Sequence, residues 1–178
     1  MSYVITGSPG TGKHTVADSI SDIIKFDIID INRIARESGL IIDGEVDTEI
    51  LAGMMDVQKP SIIVGHLAPY VISNRCMVKK AVVLRRSPYE LYDIYKSRRY
   101  SRQKILDNVG AEILDIIYSD ASNTFDVVIQ IDTTGNTPAH NTQRVLQAMT
   151  HDTSSDEVRW LHQISENGDM QRFFEFNR

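Results

Sequence analysis

Only one cysteine, Cys76, stands in the 178 residues. That excludes an intrachain disulfide and a cysteine-based zinc cluster, and it fits a reducing interior. Cys76 itself is expected to be a partly buried, inert thiol. An excess of positive charge is also missing. The formal net charge is −5, the wrong sign for coating nucleic acid through bulk charge, although a local basic patch stays compatible with it. No apolar run reaches membrane-spanning length, and no basic leader precedes "SYVITG". A cytoplasmic protein with no membrane partner and no direct nucleic-acid binding is therefore expected. Internal repeats and low-complexity segments are absent. What is there is a globular balance, 42% hydrophobic and 24% charged, in a length that suits one domain with a sizeable core.

Short apolar runs alternate with helical patterns. "YVIT" (3–6), "FDIIDI" (26–31), "SIIVG" (61–65), "AVVLR" (81–85) and "DVVIQID" (126–132) read as strands. Four of the five are nearly continuous in apolar residues, as expected of strands buried on both faces. Val16, Ile20, Ile23 and Ile24 recur at helical spacing after Lys13. Asp47 caps a predicted helix to about Met55. Ser87-Pro88-Tyr89-Glu90 has the form of a capping box with proline at the first helical position. Ser101 starts a long predicted helix to about Ala121, and Thr137-Pro138 starts another to about Met149. This alternation predicts a parallel sheet sandwiched by helices over residues 1–149. Residues 150–178 read as a polar linker, "THDTSSDE", and a terminal helix carrying Val158, Leu161 and Ile164. That helix stops at Gly168 and is free to pack back on the core or to bind a partner.

The first strand runs into "GSPGTGKHT". Gly7, Gly10, Gly12 and Lys13 have the spacing of a phosphate-binding loop between a strand and a helix. Glycines let backbone N–H groups face phosphate oxygens, the helix N-terminus adds partial positive charge, and Lys13 would reach the β- and γ-phosphates. Pro9, Thr11, His14 and Thr15 complete the expected ATP contact. The residue after the lysine is usually Ser or Thr, whose hydroxyl ligates magnesium. Here it is His14, read as a helix-surface residue, and the hydroxyl comes one position late, at Thr15. Adenylate kinases likewise lack a hydroxyl directly after the lysine and hold magnesium largely through water and phosphates. The loop therefore leans toward nucleotide kinases, with Thr15 reaching the metal through phosphates or water.

"GSPGTGKHTVA", "DINRIARESGLI", "IIVGHLAPYV", "YKSRRYSRQKILDNVGAEILD" and "DTTGNTP", in that order and spacing, resemble the short-lid adenylate kinases related to isoenzyme 6, the coilin-interacting nuclear ATPase group with archaeal members. The resemblance covers about residues 1–140. It implies a five-stranded parallel sheet of order 2-3-1-4-5, a monophosphate-binding part at about 31–60 and a short helical lid at about 96–106. It also implies a reversible transfer from ATP to AMP with magnesium. In the basic junction "KSRRYSRQK", Lys96, Arg98, Arg99, Arg102 and Lys104 cluster between two helices, and Arg98 matches the lid arginine. Arg36, and more weakly Arg33, match the acceptor-phosphate position. Asp30 and His66 sit at strand ends, where ligands of open α/β sheets gather. Asp30 is counted with Arg33 and Arg36 in the AMP-binding set and would hold magnesium-bound water or cap its helix, and His66 matches a histidine near the transferring phosphate. Thr134 and Gly135 fall in the loop that holds adenine through backbone groups from Thr133 to Asn136. One departure stands out. Relatives commonly have an acidic residue just before the histidine, where this chain has Val64 and Gly65, so either Asp30 takes that task or catalysis is weak. Two alternatives stay open. One is a nucleotide-dependent assembly factor with ATPase activity that binds a small-subunit ribosomal protein of the S11 family during subunit maturation. The other is a kinase for another acceptor, such as shikimate, gluconate or a pyrimidine monophosphate.

Overall fold

The computed structural model describes residues 1–42, 45–55, 57–72 and 78–174; Cys76 lies outside the described residues. Five strands form one parallel sheet: β1 (Ser2–Gly7), β2 (Asp27–Asp30), β5 (Ser61–Val64), β6 (Val78–Arg85) and β7 (Val128–Asp132). Their order is β2-β5-β1-β6-β7, the predicted 2-3-1-4-5 with the central strands counted alone. Two-residue strands β3 (Ile41–Ile42) and β4 (Glu45–Val46) pair separately and antiparallel. β1 is central and wholly buried, which explains its unbroken apolar run.

Helices cover both faces. On one side α1 (Lys13–Ile24) and α8 (Pro138–Thr150) bury Val16, Ile20, Val145 and Met149 against Ile5, Val82 and Ile131. On the other, α2 (Ile31–Glu37), α3 (Thr48–Met54) and α4 (Ala68–Val71) bury Ala35, Leu51 and Val71 against Val4 and Ile63. Asp47 caps α3 by accepting from the N–H groups of Glu49 and Ile50. Thr137 caps α8, and Ser101 caps the helix after the basic junction.

Two local readings need correction. The helix expected from Ser101 to about Ala121 is two: α6 (Arg102–Ile113) and α7 (Ile116–Thr124), with Asp115 between them at φ 57°. The cause is Arg85, buried at 2% exposure, which takes the Glu112 carbonyl at 2.9 Å and the Asp115 carboxylate. Those groups turn inward and the helix axis breaks. The second correction concerns α5 (Pro88–Ser97), which starts where the capping box predicted but without its hydrogen bonds. Glu90 instead pairs with Arg86 at 2.7 Å and accepts from the Gly135 N–H.

The polar stretch read as a linker runs along the outer edge of β7. Asp156 N–H donates to the Gln130 carbonyl, Gln130 N–H to Ser155 Oγ, and Asp132 N–H to Asp156 Oδ2, while Arg144 clamps Asp156 at 2.6 Å. An edge strand otherwise leaves a row of unpaired backbone groups, and this stretch satisfies them. Beyond it, α9 (Trp160–Glu166) and α10 (Met170–Phe173) dock on α5 and α6, burying Trp160, Ile164 and Phe173 with Leu91, Tyr95 and Val109. Each such large side chain contributes roughly 1.5–3 kcal/mol.

Candidate active site

The glycine-rich loop connects β1 to α1 at the C-terminal edge of the sheet. Gly7 has φ 135°, and a Cβ there would lie 2.3 Å from the Leu84 carbonyl oxygen, so only glycine lets β1 leave the sheet this close to β6. Gly12 caps α1 at φ 90°, and no atom lies within 4 Å of where its Cβ would be.

The loop's carbonyls are tied down by side chains. Thr11 Oγ1 and Lys13 Nζ donate to the Ser8 carbonyl at 2.9 and 3.2 Å. Tyr95 Oη donates to the Pro9 carbonyl, Arg86 Nη1 to that of Gly10, and Thr133 Oγ1 to that of Thr11. In a planar trans peptide the following N–H points opposite to the carbonyl. Anchoring the Pro9 and Thr11 carbonyls therefore fixes the directions of the Gly10 and Gly12 N–H groups, and both residues line the cleft.

That cleft measures about 840 Å³. Its lining holds four basic side chains, Lys13, Arg86, Arg98 and Lys104, and two histidines, His14 and His66, but, among the described residues, no aspartate or glutamate. Such a surface is built for a polyanion. Lys13 shows the crowding: its pKa is lowered to about 8, first by burial, then by the Arg98 charge, against which Asp30 and Glu112 act weakly in the raising direction. Burial, then Lys13 and His14, lower the His66 pKa to about 4. His66 is thus neutral near pH 7. Its Nδ1 is buried without a hydrogen-bond partner among the described residues.

Of the residues singled out by sequence, Pro9, Gly10, Thr11, Gly12, Lys13, His14, Thr15, His66 and Arg98 all line the cleft. Gly7 shapes the loop from outside it. Asp30 caps α2 through the Arg33 N–H at 3.1 Å and faces His14 Nε2 at 3.4 Å, beside the cleft. Arg33 and Arg36 are exposed positions of α2 outside the lining, and Asn32 of the same helix lies in it. Thr134 Oγ1 accepts from the Ser87 N–H and donates to Asp132, and the Gly135 N–H goes to Glu90. These two hold the turn while Asn136, Pro138 and Asn141 face the cleft. Within the basic junction Arg98, Tyr100 and Lys104 reach the lining; Lys96 lies over the Tyr92 ring. Lys104 lies over Tyr100 at 4.6 Å, and Tyr100 stacks on Tyr95.

Sequence reasoning missed Arg86, Asn108 and Asn141. Arg86 had a usable signal, its place just past the end of β6. Asn141 had none: it sits one turn into α8, 7% exposed, with Oδ1 unbonded.

A parallel sheet of this order, with a glycine-rich loop leaving its central strand into a cationic cleft, defines a P-loop kinase. The AAA domain family matches residues 4–115. A protein of Pyrococcus abyssi named "Putative adenylate kinase" is 33% identical over 153 residues, 82% of each chain. One of the same name from Archaeoglobus fulgidus is 35% identical over 139 residues, 75% of this chain and 74% of the relative. The chain belongs to this adenylate kinase-like family of P-loop nucleotide kinases, and is a phosphotransferase. The shikimate kinase of Acinetobacter baumannii, solved with shikimate, superimposes with a TM-score of 0.60 at 18% identity, over 83% of this chain and 91% of that one. That likeness shows the fold alone.

Proposed function

We propose that this protein transfers the γ-phosphoryl group of ATP to AMP in the cytoplasm, as in the isoenzyme 6 group it resembles. The observation that carries the reading is the cleft in front of the phosphate loop, with four basic side chains and, among the described residues, no carboxylate in its lining. An acceptor phosphate is already ionised, so no general base is needed. A bound hydroxyl acceptor would call for one, and the carboxylate beside the cleft, Asp30, is engaged in capping α2 and facing His14. In the transfer, the bond between the γ-phosphorus and the β–γ bridging oxygen breaks. A new bond forms from that phosphorus to an AMP phosphate oxygen, and two ADP molecules leave. Lys13, Arg98 and the loop N–H groups stabilise charge on the phosphoryl oxygens in flight. Neutral His66 hydrogen-bonds at the same place, and Asn32, Arg36 and Arg33 stand on the acceptor side.

The adenine preference rests on amides. Asn108, Asn136 and Asn141 line the cleft. An amide offers a donor and an acceptor side by side, matching the amino group and ring nitrogen of adenine. Magnesium fits the donor set. Thr15 in the cleft lining and the Asp30 carboxylate beside it offer hard oxygen donors, which suit an ion carried largely by phosphates and water. Thr15 and Asp30 would hold it through that shell, and it would screen phosphate charge.

The test is a coupled ADP assay with ATP or GTP as donor and AMP, other nucleoside monophosphates, shikimate or water as acceptor. The expected result is ATP with AMP far above every other pair, and two ADP formed per AMP consumed. Preferred turnover with shikimate or another hydroxyl acceptor overturns the reading. No observation among the described residues favours the assembly-factor alternative. ATP turnover without AMP, raised by an S11-family protein, would replace the kinase reading with it.

His14 gives a second expected outcome. Its imidazole faces Asp30 with the side chain 45% exposed, and both His14 and Thr15 line the cleft. His14→Gly should keep most activity, and His14→Thr should bring no large gain. Thr15→Ala should lose about ten- to a hundredfold in kcat/KM, the size of a lost hydrogen bond to a charged phosphate. The reverse ranking would make His14 a functional group.

A further inference from the structure

Glu112 takes no part in the reading above, yet it carries more contacts to the phosphate loop's surroundings than its place on α6 requires. It is 2% exposed. Its Oε2 accepts from Ser8 Oγ at 2.6 Å. Its Oε1 accepts from Arg85 Nε at 2.7 Å, from the Arg86 N–H at 3.2 Å and from Trp160 Nε1 at 3.2 Å. A buried carboxylate is tolerated only when paired and hydrogen-bonded, and these four donors meet that demand. They also come from four separate places: the phosphate loop, the end of β6, the residue after it, and α9.

The neighbours repeat the pattern. Tyr95 of α5 and Arg86 hold the next two loop carbonyls, those of Pro9 and Gly10. On the outer face, Arg172 lies over the rings of Tyr89 and Tyr92, both on α5, and Tyr89 Oη donates to Asp169 at 2.6 Å. Phe174 meets α6 at Gly110, 3.7 Å from the position of a Cβ. The C-terminal segment thus grips α5 and α6, whose junction carries Arg98, and touches the carboxylate that holds the loop.

We propose that Glu112 is a positioning residue for the phosphate loop, and that residues 160–174 act on nucleotide binding through it. The proposal rests on the loop's being the nucleotide site. Hydrogen bonds at Ser8, Pro9 and Gly10 fix where the loop N–H groups point. Loosening the one at Ser8 should blunt the loop's grip on phosphate without touching the acceptor.

Glu112→Gln takes from Arg85 the more buried of its two carboxylate partners, leaving only Asp115, and risks the fold, so the test uses Ser8→Ala and Trp160→Phe in the full chain. Each removes one donor and keeps the carboxylate. Ser8→Ala should raise the KM for ATP about tenfold, the loss expected of a charge-assisted hydrogen bond. The fall in kcat should be smaller, and the KM for AMP should stay as in the wild type. Trp160→Phe should move the ATP KM in the same direction. The double variant should lose less than the product of the two, because both act through one carboxylate. Trp160 is the chain's single tryptophan, so its emission reads the same link: ATP should shift it in the wild type and not in Ser8→Ala. An unchanged ATP KM in folded Ser8→Ala, or equal rises in the KM for ATP and for AMP, overturns the proposal and leaves the nucleotide reading standing. A wild-type emission indifferent to bound ATP overturns it too. A wild-type protein that takes no ATP overturns both.

Discussion

Lys13→Ala should leave the circular dichroism spectrum and melting curve close to wild type while turnover falls on the order of a hundred- to a thousandfold, the loss seen when one preorganised charge donor is removed from a reacting centre. The side chain is buried, and its ammonium is held against the Ser8 carbonyl at 3.2 Å, so the charge is already in place before any phosphate arrives. The cost of that placement is the pKa of about 8, and it makes a pH dependence with a definite sign. Below about pH 8 the free protein carries the ammonium and binds ATP without taking up a proton. Above it, binding must protonate Lys13 first, so affinity falls by roughly tenfold between pH 7 and pH 9. Folding stability runs the other way. The folded chain releases this proton near 8 and the unfolded chain near 10.5, so this group raises stability as pH climbs between those values. Isothermal titration with ATP at several pH values measures the first trend and chemical denaturation the second. Near-normal turnover in folded Lys13→Ala would remove the phosphate-loop assignment.

Arg98→Ala should lower kcat by about a thousandfold or more, the range for an arginine that meets the charge of a phosphoryl group in flight. ATP affinity should fall much less, because Lys13, Arg86 and Lys104 remain in the cleft. The structure adds a signature that a merely structural arginine would lack. The Arg98 charge is the second-largest cause, after burial, of the low Lys13 pKa. Removing it should raise that pKa, and the alkaline limb of ATP binding should move to higher pH. A large fall in kcat with no movement of the limb would place Arg98 away from Lys13 during the reaction.

Near neutral pH, His66 bears on neither profile. With a pKa near 4 and its Nδ1 buried, it adds no positive charge there. The cationic cleft is therefore the work of lysines and arginines, three of them following strands or ending a helix at the same edge of the sheet.

The strands, their parallel arrangement and the loop were legible in the chain because each depends on local chemistry, whereas the order of the strands came from the family resemblance. A continuous apolar run must be buried on both faces, a glycine must stand where β1 passes the Leu84 carbonyl, and Thr137, Asp47 and Ser101 cap helices from within a turn. Lys13, Thr15 and His66 follow from that arrangement, since each sits within a few residues of a strand's end. Tertiary structure decided what depends on partners far along the chain. The break between α6 and α7 exists because Arg85, 27 residues before Glu112, pulls that carbonyl and the Asp115 carboxylate inward. No periodicity in "DNVGAEILDIIYSD" records it. The polar stretch after α8 reads as a linker by composition, and it becomes an edge cover only because β7 has unpaired N–H and carbonyl groups to offer. Asn141 looks like any helical asparagine until α8 turns it into the cleft. Ser8, an unremarked loop serine, reaches Glu112, which lies 104 residues away. Backbone chemistry and burial act within a few residues and leave their mark on the sequence; hydrogen bonds between distant side chains leave none until the fold brings them together.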